Sequence, residues 1–317
     1  MRFSISHLHR NGWDSIHLID SEERCYADIV PEAGAILNGL GSDNGQNSLG
    51  VIAGYQSKND WETSRQEFYR SAKLTPFVCR IANGKFHWHE QQFQLKTNPS
   101  HGHAMHGLVA HERFSVIEES AHPEFAEVTL LRSYHGTDPG FPFSFDCFVR
   151  YRLSPSKVLS VHTAIHNRSP VTIPVADGWH CYFRLGDNVN ALRLTIRSKE
   201  KFEYNEDLVP TGRFIADDRW YNGKEIGDTV LDNCYVPDAF AGQPVCSLKN
   251  PTTGQEVEVY PGKGYPFLQV YIPPDRDSIS IEPLSAPPDV FNNSIGLISL
   301  DPDHTATFDV EYKLKQV

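Results

Sequence analysis

The stretch Phe145-Asp146-Cys147-Phe148-Val149-Arg150-Tyr151-Arg152-Leu153 decides the fold class, because its odd positions are apolar and most of its even ones polar. A period of two puts alternate side chains on opposite faces of an extended strand. Ser154-Pro155-Ser156-Lys157 then reads as a turn. Beyond it, Leu159, Val161 and Ile165 face one way and Ser160, His162 and His166 the other. The two runs predict an antiparallel hairpin.

The same alternation recurs outward from this hairpin, in residues 192–197, 256–259 and 307–314. Helical spacing is scarce, and only residues 59–69 and 217–222 suggest short helices. The 22 glycines and 21 prolines interrupt the strands at short intervals, as an all-β fold requires. No repeat, low-complexity tract or linker-like shift divides the chain. The expectation is one large antiparallel β-sandwich over residues 1–317.

Charge and cysteine usage narrow the function classes. With 29 basic and 40 acidic side chains, the net charge of -11 disfavours a nucleic-acid partner. No apolar run approaches 18 residues, so no membrane-spanning helix is expected. Cys25, Cys79, Cys147, Cys181, Cys234 and Cys246 are spread without a CxxC pair, which predicts free thiols. The opening Met1-Arg2-Phe3-Ser4-Ile5-Ser6-His7 holds no apolar signal segment, so a cytoplasmic location is expected.

Two short stretches carry chemistry. Ala176-Asp177-Gly178-Trp179-His180-Cys181-Tyr182-Phe183 offers a histidine among aromatics, and Ser280-Ile281-Glu282-Pro283 a carboxyl group at the end of an alternating strand. Glu282 shares a face with Ser278 and Ser280, opposite Ile279 and Ile281, while Gln269 shares one with Phe267 and Tyr271. A face of glutamine, glutamate and aromatic rings suits a carbohydrate, since rings cover C–H surfaces and planar polar groups bond hydroxyls. Imidazole and carboxyl together form a general acid and base that work near neutral pH.

The chain resembles the aldose 1-epimerase (galactose mutarotase) family in a series of motifs that keep the family's order. Pro76-Phe77-Val78-Cys79-Arg80-Ile81-Ala82-Asn83-Gly84-Lys85-Phe86 is similar to the family's Asn-Arg-Ile segment, and His103-Ala104-Met105-His106-Gly107 to its Leu-His-Gly motif. Gly140-Phe141-Pro142 resembles the glycine-aromatic-proline that opens the central hairpin. Trp179-His180-Cys181-Tyr182-Phe183 looks like His-x-Tyr-Phe, Leu231-Asp232-Asn233-Cys234-Tyr235 like the Leu-Asp segment, and Gln269 with Ile281-Glu282-Pro283 completes the series. The resemblance implies a galactose mutarotase-like supersandwich that interconverts the α and β anomers of an aldose without metal or cofactor. It also implies Glu282 as catalytic base, His180 as catalytic acid, and Arg80, His106, Asp232 and Gln269 as sugar-binding residues.

Two departures from the family pattern stand out. Cys79 occupies a position where many members have asparagine. Arg184 follows Phe183 where asparagine is common, and an extended segment would put it on the face of His180 and Tyr182. A cation there would favour a phosphate-, sulfonate- or carboxylate-bearing sugar. The fifteen histidines raise a rival. His87-Trp88-His89, with His101, His103, His106, His111 and Glu90, has the H-x-H spacing that cupin-like metal sites use. The remaining rival is a sandwich that binds carbohydrate without catalysis, which would need no matched acid and base. Oligomeric state leaves no readable mark in these strands.

Overall fold

The computed structural model describes residues 1–43, 48–238 and 242–315. The decisive hairpin forms as read: strand Ser144–Ser154 pairs antiparallel with Val158–Asn167, from Phe145 opposite Asn167 to Ser154 opposite Val158. Buried and partly exposed residues alternate without a break along both strands. Ser156 and Lys157 turn the chain at φ of 65° and 55°.

Around this hairpin a nine-stranded sheet builds in the order Ser115–His122, Phe125–His135, Ser144–Ser154, Val158–Asn167, Thr305–Lys315, Glu256–Pro261, Cys246–Lys249, Arg193–Ile196 and Lys224–Glu225. A second sheet runs Pro210–Ala216, Ser198–Tyr204, Asp232–Pro237, Phe267–Tyr271, Ile279–Leu284, Gly178–Trp179 and Lys73–Leu74, with Tyr182–Phe183 also paired to Ile279–Leu284. Five N-terminal strands form a third sheet. All of these pairings are antiparallel. The two large sheets meet through rings: Tyr151 packs on Trp179 and Tyr312 on Phe183, with centroids 5.9 and 5.8 Å apart. One contiguous apolar cluster includes residues of all three sheets.

Of the two expected helices, one forms. Lys58–Phe68 is α-helical, with the Ser57 side chain accepting from the Asp60 amide at its start and Tyr69 left-handed at φ 52° at its end. Residues 217–222 form no helix, and 219–222 are a turn instead. The Asp217 carboxylate accepts from Arg219 at 2.7 and 2.9 Å and lies 3.1 Å from Lys201. The Asp217 amide donates to Lys199 O at 2.8 Å and Trp220 O accepts from the Ile196 amide at 3.1 Å, so these backbone groups bond to neighbouring strands instead of to a helix.

Candidate active site

Strand Ile279–Leu284 lies inside the second sheet, and that position dictates the site. Gln269 stands directly opposite Glu282 in the neighbouring strand, so both side chains leave the same face. One strand further out, Asp232 pairs with Tyr271 and sits diagonal to Gln269. Gln269 is therefore held from two sides. Its Nε2 donates to Asp232 Oδ1 at 2.6 Å, and its Oε1 accepts from the Tyr204 hydroxyl at 3.0 Å.

His180 arrives from the opposite flank, between Gly178–Trp179 and Tyr182–Phe183. Its backbone is bonded to Ala72 O at 3.1 Å and to the Ser71 amide at 2.9 Å. Its Nε2 lies 3.4 Å from Glu282 Oε1, and Ser280 Oγ stands 3.1 Å from both His180 Nδ1 and Glu282 Oε1. Imidazole and carboxyl thus touch directly and are bridged by a hydroxyl.

A two-stranded ribbon brings the last pair of residues. Arg80–Ile81 pairs with Ala104–Met105, and the His106 amide donates to Cys79 O at 2.8 Å. His106 is left-handed at φ 58° and Gly107 at φ 79°. A Cβ at Gly107 would lie 2.3 Å from Thr75 O, so only glycine lets the ribbon fold down onto the residue that follows strand Lys73–Leu74. The His106 ring then meets His180 edge-on at 4.9 Å and Tyr69 at 4.4 Å.

Together these elements enclose a pocket of about 180 Å³ lined by all six residues singled out from the sequence: Arg80, His106, His180, Asp232, Gln269 and Glu282. Tyr69, Tyr182, Tyr204 and Tyr271 supply aromatic walls, and Glu67 lies at the rim. Sequence reasoning missed Glu67, Tyr69 and Tyr204, which reach the pocket only through tertiary packing. Alternation puts Ser280 on the face of Glu282, but its bridging contact has no sequence signal.

Electrostatics set this pocket apart. Burial pushes Glu282 well above the ordinary carboxylate range; the Ser280 bond and Arg80 oppose that shift, and Asp232 adds to it. Burial pulls His180 down to about 4. His106 is held well below the usual imidazole value, by burial first and then by His180 and Arg80. Asp232 is raised by burial against the pull of Arg80. Glu282 Oε2, His106 Nδ1 and Arg80 Nε are buried without a partner. All three belong to residues that line this pocket.

Two alternatives that the sequence left open are placed by the geometry. Arg184 does not line the pocket: its guanidinium is paired with the Asp277 carboxylate and donates to Asp277 O at 3.3 Å. The segment is not a continuous strand, because Cys181 separates His180 from the two-residue strand Tyr182–Phe183, so simple alternation fails. The histidine cluster also disperses. His87 and His89 are exposed, His103 Nδ1 accepts from the Asn83 amide, and His111 packs against Tyr69. Among the described residues no three His, Cys, Asp or Glu side chains converge as a metal site requires. Cys79, left-handed at φ 49°, presents a buried thiol to the pocket in a backbone conformation that asparagine also tolerates. All six cysteines are free.

A family model described as Aldose 1-epimerase matches residues 17–313. The chain belongs to the aldose 1-epimerase family. It is 27% identical to the Escherichia coli K12 protein YihR over 235 residues, covering 72% of this chain and 73% of that one. An aldose 1-epimerase of Streptococcus thermophilus is 22% identical over 219 residues, covering 60% and 63%. Among solved structures, a galactose mutarotase-like protein from Clostridium acetobutylicum superposes with a TM-score of 0.88 at 16% identity, covering 100% of this chain and 99% of that one. A galactose 1-epimerase from Lactobacillus acidophilus NCFM gives 0.81, also at 16% identity, covering 100% and 99%. These two likenesses show the galactose mutarotase-like fold. No helix among the described residues is long and apolar enough to cross a membrane.

Proposed function

We propose that this family member is an aldose 1-epimerase that opens and recloses the ring of a neutral aldopyranose by proton transfer between Glu282 and His180. The observation that supports this reading best is their contact: a buried carboxyl and a buried imidazole 3.4 Å apart, with the second carboxylate oxygen unpartnered in a sugar-sized pocket. Non-catalytic binding needs no such couple.

The couple works with a single proton. Burial disfavours both charges, so the resting pair is neutral, with the proton on Glu282. Passing that proton to His180, directly or through Ser280 Oγ, yields carboxylate and imidazolium without changing the proton count. Glu282 then takes the proton of the anomeric hydroxyl while His180 protonates the ring oxygen. The bond from C1 to the ring oxygen breaks, a carbonyl forms at C1, and the pair returns to its neutral state. Rotation about C1–C2 presents the other carbonyl face, and the reverse transfers close the ring as the other anomer.

Arg80 and His106 would anchor the hydroxyls beside the ring oxygen, and the Gln269–Asp232 couple those on the far side. General acid–base help of this kind contributes on the order of 10²- to 10⁴-fold in rate. Spontaneous ring opening is already accessible, so no cofactor step is required. The test is anomer exchange by NMR with freshly dissolved α-glucose and α-galactose. Acceleration by the protein, lost in Glu282→Gln with sugar binding retained, supports the proposal. Equal rates with and without protein would refute it.

A further inference from the structure

A second acid–base couple lies close to the first and has no part in the chemistry described above. Lys73 and Asp177 are both fully buried, with Lys73 Nζ 2.5 Å from Asp177 Oδ1. Oδ1 also accepts from the Tyr265 hydroxyl at 2.6 Å, and Oδ2 from the Thr75 hydroxyl. Lys73 donates further to Gly178 O at 3.0 Å and lies over the Trp179 ring at 4.4 Å. Unlike Glu282, the Asp177 carboxylate has a partner on each oxygen.

Its connections run to each side chain of the proposed mechanism. Asp177 precedes His180 by three residues, and the peptide next to Lys73 accepts the His180 amide. The Asp177 amide donates to Ser285 Oγ at 2.8 Å and the Ser285 amide to Asp177 O at 2.8 Å, three residues beyond Glu282. Thr75 O accepts from the Leu108 amide at 2.7 Å and is the atom against which Gly107 closes, directly after His106.

We infer that the Lys73–Asp177 couple, with Thr75, Tyr265 and Ser285, is the positioning element that holds His180 against Glu282. These residues touch no substrate and act through the strands they tie together. The inference rests on the proton-transfer reading above.

Two mild variants test it, because removing a buried charge outright risks the fold. Tyr265→Phe deletes one donor to Asp177, and Ser285→Ala deletes the acceptor of its amide. In each, kcat for anomer exchange is expected to fall about 5- to 50-fold with KM within about twofold, since substrate contacts are intact while acid and base lose alignment. The His180 ring resonances should shift in both. Folded variants with kcat within about twofold of the parent and unmoved His180 resonances would overturn the inference and leave the couple a purely structural one. A change confined to KM would overturn it as well. If the parent protein shows no anomer exchange, the proposed function fails, while the His180 resonances still decide whether the couple positions that ring.

Discussion

Two buried acid–base couples, linked through Asp177 and His180 three positions apart, differ in how completely they are bonded. Lys73–Asp177 has partners on both carboxylate oxygens, among them the hydroxyls of Thr75 and Tyr265. His180–Glu282 shares one hydroxyl, from Ser280, and leaves Glu282 Oε2 without a partner, in a pocket also lined by His106, whose Nδ1 is equally unpartnered. Burial raises the electrostatic stakes of both, but the bonding decides the use. A saturated couple resists change and fixes geometry. An unsaturated one retains capacity to bond something else.

The comparison breaks first on activity. Glu282→Gln is expected to cut catalysed anomer exchange by about 10²- to 10⁴-fold, with His180→Asn close behind. Both should still bind sugar by saturation-transfer NMR, and full activity in either would remove that residue from the mechanism. Stability should show the opposite ranking. Lys73→Met leaves the Asp177 charge buried and unpaired, and should lower the free energy of unfolding by about 3–5 kcal/mol. The double variant Lys73→Met with Asp177→Leu should recover much of that loss in urea melts, because no charge is then stranded.

A subtler difference lies in pH. The Glu282 carboxyl is raised on folding, so above an unfolded-state value of about 4.3 the unfolded chain ionises while the folded one resists. Stability is therefore lost as pH rises from there towards the folded value, by about 1.4 kcal/mol per pH unit. Glu282→Gln should melt at a higher temperature than the parent at pH 8 and show little advantage at pH 4. An advantage independent of pH would mean that the carboxyl is not held protonated. The smallest effect is expected from Arg184→Ala. Its side chain is outside the pocket and paired with Asp277, so KM for neutral aldoses should stay within about twofold.

Alternation made the sandwich legible, because a strand with one buried face writes its burial into every second residue, as in residues 145–153 and 159–165. The six pocket residues were legible through short motifs, each a few residues long, that end in one place. Lys73–Asp177 was not. Nothing in Ala72-Lys73-Leu74 distinguishes a lysine at 0% exposure from one on a wet strand, because its partner is 104 residues away. Tyr69 and Glu67 were hidden for a related reason: the helix end that presents them is placed by tertiary packing, with Tyr69 against His106 and His111. Arg184 shows where alternation misleads, at a strand too short to keep its period.

The measurement closest to the central claim is the pH dependence of catalysed anomer exchange in the parent protein and in His180→Asn. A couple working with one proton predicts a bell: the acidic limb near 4 from His180, the alkaline limb above the ordinary carboxylate range from Glu282, and loss of the acidic limb from the residual rate of His180→Asn. A catalysed rate that is flat from pH 4 to pH 9, or an acidic limb that survives in His180→Asn, would contradict it.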